Sequence, residues 1–232
     1  MKSHNRPSFQ PFDERESVRI YRRNLPHWRQ DGATYFITIR LADSIPKNVR
    51  REIEYEKRLW LRARGISYDG EHGNWVEKLH TLSSDDQFQF HKTFNRRVQS
   101  CLDRGHGKCH LQVPSCIEIV KNKLLSEDRS RYELGDFVIM PNHVHLLTTP
   151  RSGEFLEQIL KSLKGSSAVE CNRSLGRSGT FWQADSYDHI VRSLEQLLHY
   201  RRYIADNPRN AGITIEDNAY YRADWMDEWF NS

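Results

Sequence analysis

Two apolar runs constrain this chain most: "RYELGDFVIM" (Arg131–Met140) and "HVHLLTTP" (His143–Pro150), joined through a Met140-Pro141-Asn142 corner. Both are rich in β-branched and aromatic residues, and each has the length of a strand. Pro141 cannot donate a ladder hydrogen bond, so it belongs at the turn. A third run, "ATYFITIRLA" (Ala33–Ala42), alternates in the same way and ends before Pro46. Between the first strand and the hairpin, "CHLQVPSCIEIVKNKLLSEDR" predicts a helix over about Ser115–Ser126. Its buried stripe is Ile117, Val120, Leu124 and Leu125, with Pro114 at its start. "GEFLEQILKSLKGSSAVECNRSLG" predicts a long helix ending at the Gly176 to Gly179 turn, and "TFWQADSYDHIV" a short, partly extended stretch. "SLEQLLHYRRYIADNP" predicts a helix stopped by Asn207-Pro208. The order strand, helix, hairpin, helix, strand predicts an α+β fold: a ferredoxin-like antiparallel sheet with helices packed on one face.

Around this core the text divides. Residues 1–32 are polar, Arg-rich and broken by prolines, which reads as an extended basic arm. Residues 33–215 form the main domain. The block at about 47–110 interrupts it as an insertion, helical and highly charged to about Arg64, then irregular with one helical stretch near Asp86–Leu102. Residues 216–232 read as a tail of aromatic clusters without a clear period. The 232 residues carry 35 Lys+Arg against 31 Asp+Glu, a formal charge of +4. That balance is a modest pointer to a polyanionic partner. No apolar run reaches transmembrane length and no signal-peptide core is visible, so the expectation is a cytoplasmic protein with no membrane association and reduced thiols. The cluster Cys101, His106, Cys109, His110 has C-x4-H-x2-C-H spacing, unlike structural zinc sites, and its glycines favour a turn.

Chemistry enters through His143 and His145. Successive strand side chains alternate faces, so the two imidazoles share one face about 7 Å apart, while Val144 and Leu146 point into the core. The histidine face reads as the uncovered side of the sheet, where a divalent cation could be held if further ligands come from elsewhere. In the last helix Leu194, Leu197, Leu198, the stem of Arg201 and Ile204 form the apolar stripe, leaving Tyr203 off it. One turn either side of Tyr203 stand His199 and Asn207. Tyr200 lies on the same side and competes for any role Tyr203 has; Asn207 also reads simply as a helix C-terminal residue before Pro208.

"MPNHVHLL" followed by "YIADNPRNAGI" resembles the single-tyrosine HUH transposases, and within them the REP-associated tyrosine transposases. The resemblance runs in order through "ATYFITIRLA", "RYELGDFVIMPNHVHLL", "FLEQILKSLKG", "GTFWQADSYDHIVRS" and "YRRYIADNPRNAGI". It implies His143 and His145 as metal ligands, Tyr203 as nucleophile and Asn207 as an amide-type third ligand. It further implies Mg²⁺ or Mn²⁺ as cofactor, a 5′-phosphotyrosine intermediate, single-stranded hairpin DNA as substrate, and a monomer acting in cis. It also places Asp188 and His189 near the site; with His199, these are candidates for proton transfer or site support. For the DNA, Arg22, Arg23, Trp28, Arg29, Lys161, Lys164, Arg173, Arg177 and Trp182 are the candidate contacts, as cations for phosphates and rings for bases. Two other functions compete: a hairpin-binding protein that does not cleave, and a phosphodiesterase whose nucleophile is water.

Overall fold

The computed structural model describes residues 6, 8–13, 15, 19–22, 26–68, 74–216 and 219–230. The N-terminal segment contains an antiparallel ribbon, β1 (Arg19–Arg22) with β2 (Pro26–Arg29), where the sequence predicts an extended arm. Long-range contacts hold the segment down: Arg6 pairs with Asp128 and Glu133, both at 2.9 Å, and Phe9 packs on Trp229.

After β3 (Tyr35–Arg40) come the insertion helices α1 (Lys47–Arg62), α2 (Trp75–His80) and α3 (Ser84–Asp103). The insertion is thus mostly helical, with its own small core of Ile53, Leu61, Trp75, Leu79, Phe90 and Phe94. The α2 turn is too short to show a period in sequence. Next are α4 (Pro114–Ser126), β4 (Tyr132–Met140), β5 (His143–Pro150), α5 (Leu156–Ser174), β6 (Tyr187–Ile190), α6 (Leu194–Asn210) and β7 (Tyr220–Tyr221). A 3-10 segment, Asp224–Phe230, follows.

The main sheet has the order β6-β3-β5-β4-β7, and every neighbouring pair is antiparallel. Taken without β7, this is the split βαβ arrangement of a ferredoxin-like sheet, as the sequence predicts. One face carries Ile37, Ile39, Val144 and Leu146 against α4 and α5. The other face is not open. Phe36, Val138, Met140 and Leu147 pack there against Leu197 and Ile204 of α6 and Met226 and Trp229 of the C-terminal segment. Helices therefore lie on both faces, because α6 has its own apolar stripe to bury.

A β-bulge at Gly135-Asp136 anchors that second layer. At Gly135 a Cβ would stand 2.8 Å from the Leu147 Cβ and 2.9 Å from the Met226 sulfur, so only glycine fits the approach. The bulge aims the Asp136 carboxylate at Arg201 of α6, which also reaches Asp227. Asp136 further accepts from the Ala223 backbone N–H. Helix α6 continues through Pro208 to Asn210 rather than stopping at Asn207-Pro208. A proline in the last turn removes only one helical hydrogen bond, and the Ala211 N–H still reaches the Asn207 carbonyl. Among the described residues no helix is long and apolar enough to cross a membrane.

Candidate active site

The pleat puts Phe36, Thr38 and Arg40 of β3 on the same face as His143 and His145, with Thr38 opposite His145 and Arg40 opposite His143. Both histidines are fully buried. The layer of α6 and the insertion hides them, so the uncovered face expected from sequence exists only within the sheet. Their Nε2 atoms lie 3.0 Å apart. The Asn142 side-chain amide donates to the Leu102 and His106 carbonyls, which leaves its oxygen to accept from His143 Nδ1 at 2.7 Å. The His143 Nε2 lone pair is thereby free and directed at its neighbour. His145 Nδ1 meets the Thr38 hydroxyl at 2.9 Å. Burial drives both imidazoles to the neutral form: His143 is pushed down to about 3, with Arg40 adding to the effect, and His145 falls well below its ordinary value.

Helix α6 delivers the tyrosines. Its contact with the sheet centres on Leu197, Arg201, Ile204 and Asn207, while Leu194 is largely exposed. Tyr203 therefore flanks the sheet-facing stripe rather than turning away from it. Its ring sits edge-on to His145 at 5.2 Å and to Phe36 at 5.7 Å. Tyr200 instead stacks flat on Phe36 at 4.2 Å, a packing position. Burial raises the Tyr203 phenol, and the Asp103 carboxylate raises it further, while hydrogen bonding from the Asn207 amide works in the opposite direction. The Asn207 side chain is buried, and its Oδ1 has no hydrogen-bond partner.

These residues fit a divalent cation. Two nitrogens bound cis at about 2.1 Å would stand about 3.0 Å apart, the spacing found between the two Nε2 atoms. Both outer ring nitrogens are already engaged, and an orphan amide oxygen is present on the helix carrying Tyr203. Among the described residues no three His, Cys, Asp or Glu side chains converge as a metal cluster, and the Asn207 amide oxygen is the further buried donor atom left without a partner on α6. Of the Cys101–His110 cluster, Cys101 is buried in the last turn of α3 and the rest forms the turn that follows: Cys109 hydrogen-bonds the Gly105 carbonyl and His110 stacks on Phe181.

Sequence reading missed the contribution of α3. Gln99 donates to Asp103 at 2.7 Å and lies 3.5 Å from His145 Nε2. Burial raises the Asp103 carboxyl. With α1 and the 180–187 segment, α3 walls a cleft of about 610 Å³ beside Tyr203. No local pattern could mark Gln99 or Asp103, because they reach the site only through the docking of an inserted helix.

The other sequence-based candidates scatter. Asp188 pairs with Arg29 on the opposite side of β6 from the histidines. Arg29 is buried between Asp188 and Glu157, with its guanidinium over Tyr35, so it is a clamp and not a DNA contact. Trp182 is also buried, its indole donating to Ser167. His189 shares the site's face but meets Tyr200 and Gln196, and burial lowers it to about 4. His199 is exposed beside Tyr200 at the cleft. Lys161 and Arg173 are exposed on α5. Lys164 bonds the Ala184 carbonyl, and Arg177 the Thr180 carbonyl. Arg23 and the side chains of Arg22 and Trp28 lie outside the described residues.

Residues 108–207 match the family described as "Transposase IS200 like". The matched stretch begins just before α4 and runs through the strands bearing His143 and His145 to Tyr203 and Asn207 of α6, so the similarity covers the candidate site. A solved structure of a REP-associated tyrosine transposase bound to a REP hairpin aligns with 84% of this chain and 74% of its own, at 16% identity and a TM-score of 0.43. No curated protein matches the chain.

Proposed function

We propose that the protein is a metal-dependent strand transferase that cuts and rejoins single-stranded DNA at hairpins through Tyr203. One observation carries the reading: a phenol stands against a pair of neutral, oriented histidines at the wall of an open cleft. His143, His145 and the Asn207 amide oxygen would hold Mg²⁺ or Mn²⁺, with nitrogen ligands favouring Mn²⁺. When bound, the cation would polarise the scissile phosphate and stabilise the charge that builds on it.

The remaining steps belong to the chain's own groups. The Tyr203 oxygen forms a bond to phosphorus as the bond to the 3′ oxygen of the preceding nucleotide breaks. A 5′-phosphotyrosine and a free 3′ hydroxyl result. The phosphoester is conserved in the intermediate, so rejoining needs no ATP. The phenol proton must leave, and Asp103, the charge acting most strongly on Tyr203, is the acceptor that the arrangement offers. His189 faces Tyr200 and fits support better than proton transfer. The tyrosine reaches histidines of its own chain, which supports a monomer acting in cis. Exposed Lys161 and Arg173 remain the cations on α5 available to the duplex arm.

The test is a denaturing gel of labelled hairpin DNA incubated with protein and Mn²⁺. A covalent adduct that disappears with Tyr203→Phe supports the reading. Binding without an adduct means a non-cleaving binder, and product without an adduct means a water nucleophile. An adduct lost with Tyr200→Phe but kept with Tyr203→Phe assigns the wrong tyrosine.

A further inference from the structure

The cleft floor holds a cation, Arg40, whose side chain has no hydrogen-bond partner among the described residues. Arg40 lies one pleat period beyond Thr38, about 7 Å along the strand, on the histidine face and opposite His143. Its Nε is sealed from solvent and has no hydrogen-bond partner, and among the described residues its guanidinium makes no hydrogen bond or ion pair. Arginine carries five donors and no acceptor, so leaving them unmade in a half-buried position is costly. Burial and the neighbouring Arg50 lower it to about 10, with Asp185 acting in the opposite sense, and it stays charged at neutral pH. Gln183, whose backbone N–H bonds the Arg40 carbonyl, lines the same cleft with a buried amide nitrogen that also has no partner. Arg50 on α1 lines it as a second cation. Asp185 lines the same cleft and offsets part of this charge, but Arg40, Arg50 and the Gln183 amide nitrogen present more donors than that one carboxylate can take, which favours an acceptor-rich anion.

We propose that Arg40, with Gln183 and Arg50, binds the phosphodiester next to the scissile one and thereby positions the strand against Tyr203. The inference rests on the DNA-strand reading of the site. Tyr203 stands beside His145, and Arg40 lies one pleat period away opposite His143; that offset is comparable with the spacing of neighbouring phosphates in an extended strand and fits a phosphate adjoining the one Tyr203 attacks. Arginine suits the role because its planar fork takes two phosphate oxygens at once.

Two measurements on Arg40→Met and Arg40→Lys test this. Binding of a labelled hairpin with single-stranded oligo-dT arms is followed against salt, and thermal melting is recorded in parallel. Each phosphate contact to a single strand contributes about 0.7 to the slope of log affinity on log salt. Arg40→Met is expected to lose about 0.7 of slope and to weaken binding about tenfold at low salt. Its melting temperature should hold or rise, since an unpaired half-buried charge has been removed. Arg40→Lys should keep the slope but bind severalfold more weakly. An unchanged slope in Arg40→Met overturns the proposal, as does a variant that melts well below the parent or fails to fold, because the charge would then be structural. Parent protein that does not bind the probe at all refutes the DNA reading itself, an outcome distinct from failure of Arg40 alone.

Discussion

His143 Nε2 and His145 Nε2 stand 3.0 Å apart with both partner nitrogens engaged, one by Asn142 and one by Thr38. One ring can donate to the other only if the Thr38 hydroxyl donates to His145 Nδ1. If both Nε2 lone pairs were instead given to a cation, the same hydroxyl would have to accept from His145 Nδ1. On the metal reading, Thr38 would then set the orientation and tautomer of His145. Thr38→Val, of nearly the same shape, is expected to weaken Mn²⁺ binding about 10–100-fold. Calorimetric titration of Mn²⁺ checks it, and unchanged affinity would remove Thr38 from the site.

The two tyrosines of α6 should separate function from packing. Tyr200 stacks on Phe36, so Tyr200→Ala is expected to cost about 3 kcal/mol in denaturant unfolding. Tyr203→Phe keeps the ring against His145 and Phe36 and should shift stability by less than about 1 kcal/mol, yet yield no covalent adduct.

Arg201 is the bolt between α6, the β4 bulge and the C-terminal segment. It reaches Asp136 at 3.0 Å, Asp227 at 2.6 Å and the Ala223 carbonyl. Arg201→Ala leaves Asp136 buried without its counter-ion, and a loss of about 3–5 kcal/mol is expected. Because α6 carries Tyr203, adduct formation should fall with it. A fully stable Arg201→Ala protein would show that the apolar stripe alone fixes the helix.

His189 gives a pH signature. Its pKa is about 4 in the folded state against an ordinary value near 6.5, so unfolding takes up a proton between those limits. Above about pH 6.5 both states are neutral there and the group contributes nothing. As pH falls from about 6.5 to 4 the unfolded state gains the proton and stability drops, by about 1–3 kcal/mol for this group. His189→Gln should flatten that part of the stability–pH curve in chemical denaturation. An identical curve would mean that His189 is as solvated as in the unfolded chain.

Much of this was legible in the chain itself. Alternation in "ATYFITIRLA" and the short apolar, β-branched and aromatic runs of "RYELGDFVIM" and "HVHLLTTP" mark three strands, and the Pro141 corner a hairpin, because these signals need only local geometry. The same parity places His143 and His145 on one face, and helical spacing sets Asn207 one turn from Tyr203. Tertiary structure decided what that face meets. Only packing shows that α6 closes over the histidines, that Tyr203 and not Tyr200 takes the edge beside His145, and that Arg29 and Trp182 are consumed by internal partners. Gln99, Asp103 and Arg40 gain their meaning from an inserted helix docking against the sheet. That contact depends on apolar faces burying one another across distant parts of the chain, and no local period records it.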